Sequence, residues 1–577
     1  MLNDRAHLLG TTRPRLYSFQ GAGFLAWTPR DRSLSDHERN GAVLTTDLTN
    51  MVTQAGETGC SYPATLESWY RFLIDPHPAA RIELNAASGQ AELVGEDTEL
   101  LQQRKAFLRP DSMVVIIMVS DRNDCSIVDG GKGWFATSSA PGLMSRATSA
   151  CTQEPNSPCC RPCSDTVDPA GCPPAAQDPE CQKGALSSEE DPPNLRCWQQ
   201  KRRFGLDLLY PTSRYVNGLS SNKGLEVPNP DGSSELVPNP LYSDLNQSGA
   251  IVRDPSLVFL VGIIGVPWQD VATPESRMGP GLKYLHASEL GAVWPMILGD
   301  PASGVNPTDP LMIETPTPRS GNSLYGGPMA PENSPTVGSP QANSINGHEY
   351  HAVGDLQYAC IFPLETPRDC TTVAGDTACD CKPGELNDPN GVPFNKPVCQ
   401  PPTGGPAGTT QYFAKAYPGL RQLQVLKDYG SNSIVASICP KETTGTTLDP
   451  SFGYNPTLYS IFNQGFGTFK ERPGGRCLPR PLSPDAATGL VPCVVVEVTS
   501  GSGNCDCSSR LGRNPEPLGQ SASDERLVKL DAWVRDGMKN DLRACDKPGK
   551  PACSSYCLCE IQQASSSVQT SNGESFL

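Results

Sequence analysis

The sequence predicts an α/β fold: an open, largely parallel sheet whose strands lie far apart in the chain. Three observations predict it. Four apolar runs, at 113–119, 257–266, 433–438 and 493–498, are continuous rather than alternating, as in strands covered on both faces. Helical periodicity falls between some of these runs. Gly (54 residues) and Pro (57) are abundant and apolar residues reach only 37%, which favours long irregular connections over further elements.

The elements follow in order. Over 42–55, Val43, Leu44, Leu48, Met51 and Val52 share a helical face, and "GETG" ends that helix at Gly56–Gly59. A second helix follows Pro63, with Leu66, Trp69, Tyr70 and Leu73 at helical spacing, and stops before "DPHP". The four apolar runs supply strands, with a shorter one at 358–362. Helices are expected over 412–428, 456–464 and 523–539. The organisation is therefore core at 1–128, a Cys-rich insertion at 129–252, a core strand at 253–266 and a Pro/Gly/Ser-rich insertion at 267–352. A core segment at 353–365, a Cys-rich insertion at 366–409, core again at 410–500 and a Cys-rich tail at 501–577 complete it. A chain of 577 residues exceeds one compact core, and no fixed-period repeat runs through it.

Net charge is −16, which repels phosphate backbones and anionic membranes, so nucleic acid is not an expected partner. No apolar run reaches the 18 or so residues of a spanning helix. The 23 cysteines cluster in loop-rich segments that gain most from crosslinking, which argues for an oxidising compartment and an exported protein: periplasmic, outer-surface or secreted. The odd count leaves at least one thiol without an intrachain partner. Residues 1–20 lack the apolar core of a signal peptide, so the expectation is that one lies upstream of Met1.

The chemistry concentrates where the first apolar run ends, in "VSDRNDCS". Ligands of open parallel sheets bind beyond the carboxyl ends of strands. Asp121, Asn123 and Asp124 present there the oxygens that hard cations such as Mg²⁺ and Ca²⁺ take. Upstream, "AGETGCSYPATLESW" is a Gly-rich loop carrying Thr58 that opens a helix. A Gly-x-Thr-Gly loop before a helix, followed by an apolar strand ending in Ser-Asp, resembles the von Willebrand factor A domain. The closer likeness is to large, cysteine-rich exported bacterial proteins on that fold, through "GCSYPATLESWYRFL", "FLRPDSMVVIIMVSDRND", "SRYVNGL", "DLQYACIFPL" and "SIVASICP".

The resemblance implies a Rossmann-like open sheet and a metal-ion-dependent adhesion site. Thr58 matches the threonine of its second loop and Asp121 the aspartate of its third, with Asn123 and Asp124 in support and Mg²⁺ or Ca²⁺ as the ion. Residues 1–40 hold no convincing apolar opening strand, so the fold is expected to be incomplete at its N-terminus.

Other motifs have plainer readings. Asp and Asn at 121–124 also suit a turn in which they satisfy nearby backbone. "DRNDCSIVDGG" lacks the Gly of a calcium loop. In "GHEYH", His348 and His351 are three apart in a polar loop, not four apart on a helix, so zinc catalysis is not expected. Cys160, Cys163, Cys172 and Cys181, and the "CDC" and "CLC" pairs, could chelate zinc, but disulfides are the stronger reading in an exported chain. The basic "QKRRFG" reads as an intramolecular ion-pair surface. No Gly-x-Ser-x-Gly elbow, Walker loop or dinucleotide fingerprint appears.

The expected function is binding, not catalysis: a surface adhesion-type module engaging a protein or glycan ligand, with a divalent cation between them. The alternatives are a secreted metal-assisted hydrolase and a purely structural surface protein.

Overall fold

The computed structural model describes residues 4–462 and 494–562, apart from 14, 30, 58, 60–61, 111, 139–142, 229–232, 247–252, 302, 330–342, 374–377, 389, 501–504, 509–512, 520–524, 541–544 and 547–550. The chain divides into two compact units, 1–479 and 480–577.

In the first unit, α1 (Gly41–Gln54) and α2 (Thr65–Leu73) form where the periodicity places them. The hairpin of β1 (Ala79–Asn85) and β2 (Gln90–Glu96) leads to α3 (Thr98–Phe107), whose start is capped by Asp97 accepting from Leu100 N. The central sheet has three parallel strands in the order β7–β4–β3: β3 is Val114–Val119, β4 is Val258–Ile264 and β7 is Ser433–Ser437. Ile116 pairs with Leu260 and Val435 with Gly262. All residues of β4 and β7 are buried, which explains their unbroken apolar sequence.

Helix α2 packs Leu66, Trp69, Tyr70, Phe72 and Leu73 into the core, beside α4 (Thr212–Ser220). Helix α5 (Leu420–Tyr429) lies across β4, close enough that a Cβ on Gly262 would meet Leu426 Cδ1 at 2.6 Å. At the end of β4, a Cβ on Gly265 would sit 1.7 Å from the Tyr417 carbonyl oxygen, so only glycine fits.

Several elements differ from expectation. β3 is an edge strand, not a strand covered on both faces: it alternates, with Ile117 46% and Val119 59% exposed. The segment begun at 358–362 is β5 (Cys360–Asp369), paired antiparallel with β6 (Thr410–Ala416) outside the parallel sheet. The expected helix at 412–428 is thus β6 followed by α5, divided at Pro418–Gly419. The apolar face of α1 is not its packed face: Leu48 and Val52 are exposed, while Asp47 is buried against His37 Nδ1 at 2.7 Å.

The run at 493–498 also leaves the parallel sheet. In the second unit β8 (Val495–Ser500) pairs antiparallel with β9 (Tyr556–Ile561), and α6 (Glu525–Asn540) forms close to its expected span. Ten disulfides join described cysteines, so the chain is disulfide-rich as expected. Cys151–Cys160, Cys159–Cys172, Cys163–Cys181 and Cys125–Cys197 close the first insertion, and Cys370–Cys379 and Cys381–Cys399 the third. Cys360–Cys439 ties β5 to the end of β7, and Cys505–Cys557, Cys507–Cys559 and Cys545–Cys553 hold the tail. Cys60, Cys477 and Cys493 lie outside the described residues.

Candidate functional site at the carboxyl rim of the sheet

The loop that leaves β3, residues 120–126, joins two helices that cannot cap themselves. The residue before α2 is Ala64 and the residue before α5 is Gly419, and neither offers a side-chain acceptor to the free N–H groups of the first turn. The loop supplies them. Asp124 Oδ1 accepts from Leu66 N at 2.9 Å, and Ser126 Oγ accepts from Glu67 N at 3.0 Å. Asn123 Oδ1 accepts from Arg421 N at 2.9 Å.

Asp124 is 1% exposed and its oxygens are occupied. Oδ1 also accepts from Ser126 Oγ at 2.7 Å, and Oδ2 accepts from Ser126 N at 3.2 Å and Arg421 Nε at 3.1 Å. Gln422 closes the joint, accepting from Asp124 N at 3.1 Å and donating to Arg122 O at 2.9 Å. Asn123 donates through Nδ2 to Glu314 Oε1 at 3.1 Å. Two of the sequence-nominated cation ligands, Asn123 and Asp124, therefore hold α2 and α5 to the sheet.

Asp121 is different. It is exposed at the carboxyl end of β3, its backbone carbonyl accepting from Tyr417 N at 2.8 Å. Ser120 Oγ, beside it, lies 3.5 Å from the hydroxyl of Thr65 in the first turn of α2. Thr58 lies outside the described residues. Ser120 is buried and its hydroxyl already donates to the Arg122 carbonyl at 2.9 Å, so the described rim offers one open carboxylate, a group that suits a hard cation in chemistry but not in number.

Behind the rim is a cavity of about 50 Å³ lined by Arg122, Asn123, Asp124, Glu314, Asp355 and Tyr417, with room for a water or two rather than a substrate. Burial pushes the Glu314 carboxyl up to about 7, against the pull of the Asn123 hydrogen bond and Arg421. The Tyr417 hydroxyl donates to Asp355 at 2.8 Å, and Arg122 lies over the Tyr417 ring at 5.7 Å. Burial opposes the charge of Arg122, but Tyr417, Asp121 and Asp355 outweigh it and its pKa is raised. Sequence reasoning missed Glu314 and Asp355; the first comes from the second insertion and the other from the core segment at 353–365, and no local pattern marks them.

The other nominated motifs resolve into structure. His348 is buried between the Glu349 carbonyl and Gln400 Oε1, and Glu349 is held by Arg319 at 2.8 Å. Cys160, Cys163, Cys172 and Cys181 are all in disulfides. Among the described residues, one group of three or more metal-capable side chains is found, Cys505, Cys507, Cys557 and Cys559, with sulfurs within 4.8 Å of one another and joined as two disulfides. No protein-family profile, curated protein or solved structure matches the chain.

Proposed function

We propose that this chain is an exported binding protein whose ligand-contact centre is the carboxyl rim of its parallel sheet. There Asp121 contributes to a Mg²⁺- or Ca²⁺-dependent contact with a protein or glycan at a cell surface. The observation that carries the reading is the division of labour in the loop after β3: Asn123 and Asp124 are consumed by helix capping, while Asp121, three residues from a buried carboxylate, is held out to solvent. An open carboxylate at that rim is where ligands of parallel sheets bind. The parallel order β7–β4–β3, with no strand paired to the outer edge of β3 among the described residues, is compatible with part of a von Willebrand factor A-like sheet. The partner would supply an acidic group to the ion.

Export is supported by the disulfide framework, since small loop-rich segments crosslinked in this way persist in oxidising compartments. No helix among the described residues is long and apolar enough to cross a membrane. A second reading, a purely structural surface protein, is favoured by the capping duty of Asn123 and Asp124. Calorimetric titration with Mg²⁺, Ca²⁺ and Zn²⁺ separates the two. Heat from Mg²⁺ or Ca²⁺ that disappears in Asp121→Ala supports the rim site. Absence of heat with any of the ions, or heat unchanged in the variant, supports the structural reading.

A further inference from the structure

Away from the rim, the second insertion buries two neighbouring carboxylates whose oxygens are largely without donors. Asp270 lies in a short helix, Trp268–Val271, just after β4, and is 1% exposed. Asp309 precedes the turn Pro310–Met312 and is 2% exposed. The two carboxyl groups lie within hydrogen-bond reach of each other. Asp309 Oδ1 accepts from Leu311 N at 2.9 Å. Apart from each other and the nearby Leu324 N–H, the other three oxygens, Asp270 Oδ1, Asp270 Oδ2 and Asp309 Oδ2, have no well-aligned donor among the described residues.

The nearby cations are committed elsewhere. Arg277 donates to the carbonyls of Gln269 and Ala272 and stacks on Tyr325 at 4.0 Å. Arg319 is taken by Glu349 and by the carbonyls of Leu311 and Tyr358. Burial pushes both carboxyls up; the charge of Asp309 raises Asp270 further, while hydrogen bonds from Leu311 N and Asp270 pull Asp309 back. Two ionised carboxylates cannot stay buried side by side without a neutralising species, which is a shared proton or a bound cation. The count of oxygens chooses between them. One proton bridges one oxygen of each group and leaves the second oxygen of Asp270 without a donor. A hard cation held by both oxygens of Asp270 and by Asp309 Oδ2 satisfies all three, and draws the rest of its roughly six to eight oxygens from water and backbone carbonyls.

We propose that Asp270 and Asp309 form a buried binding site for a hard divalent cation of the Ca²⁺ class, taken up as the chain folds and pinning the second insertion to the end of β4. The ion is structural and independent of the rim.

The test uses the full chain carrying Asp121→Ala, so that any rim ion is absent. Protein purified without chelator is passed through a desalting column, and its metal content is measured by inductively coupled plasma mass spectrometry. Thermal unfolding is then followed with excess EDTA and with excess CaCl₂. The expected result is one equivalent of Ca²⁺ or Mg²⁺ per chain, and a midpoint that falls by a few degrees in EDTA. In the background of Asp270→Asn with Asp309→Asn, both the retained metal and the EDTA effect disappear. Should that variant fail to fold, the comparison on the parent protein still decides. Metal content at the blank level, with a midpoint indifferent to EDTA and CaCl₂, overturns the proposal in favour of the shared proton. So does retained metal in the folded double variant.

Discussion

Removing Asp124 tests the role of the loop after β3 most sharply. Asp124→Ala deletes the acceptor of Leu66 N, Ser126 N and Ser126 Oγ and the partner of Arg421 Nε, all in a site where the carboxylate is 1% exposed. Loss of the cap on α2 costs about 1 kcal/mol. Breaking a buried ion pair by deleting one member costs about 3–5 kcal/mol. These overlap, because Arg421 keeps its bond to the Tyr210 carbonyl at 2.6 Å, so the expected total is about 3–5 kcal/mol. Asp121→Ala, three residues away and exposed, should stay within about 0.5 kcal/mol of the parent. Urea denaturation under non-reducing conditions gives the free energies. Hydrogen exchange over 65–73 and 420–429 shows whether the first turns of α2 and α5 lose protection. Equal stability of the two variants, or unchanged protection in both helices, would refute the capping account.

Further outcomes follow from the same structure. Because the folded chain holds the Glu314 proton to about pH 7 rather than 4.5, its contribution to stability is full below pH 4.5 and is lost as pH rises through 7. That loss totals about 3 kcal/mol, seen as the difference in pH–stability curves between parent and Glu314→Gln; parallel curves would contradict it. Glu349→Gln should destabilise by about 3–5 kcal/mol by leaving the buried Arg319 without its partner, measured by the same denaturation. Replacing Cys360 and Cys439 by Ala should cost about 4 kcal/mol, since the bond closes a 79-residue separation. Ile117→Thr should change stability by less than about 0.5 kcal/mol, because that face of β3 is open.

The strands of the parallel sheet were legible because burial on both faces writes itself as an unbroken apolar run, as in 258–264 and 433–437. β3 carries the same kind of run, yet Ile117 and Val119 face solvent; composition records what a face tolerates, not what covers it. β6 was hidden inside an expected helix although its residues Gln411, Phe413 and Lys415 alternate with Tyr412 and Ala414, and Pro418–Gly419 mark the break. At the site, residue type and position were legible at 121–124, but role was not. The need for outside caps can be read at Ala64 and Gly419, while the partners that meet it are 58 and 298 residues away in sequence. The Asp270–Asp309 pair is likewise a product of the fold, joining the end of a strand to a turn in an insertion.

The most direct measurement of the rim site is a crystal soaked in Mn²⁺ and recorded at a wavelength where manganese scatters anomalously. The account predicts an anomalous peak within about 2.2 Å of the Asp121 carboxylate, with Asp124 still bonded to Leu66 N and Arg421. A peak held by Asp124 instead, or no peak at Asp121 at saturating Mn²⁺, would contradict it.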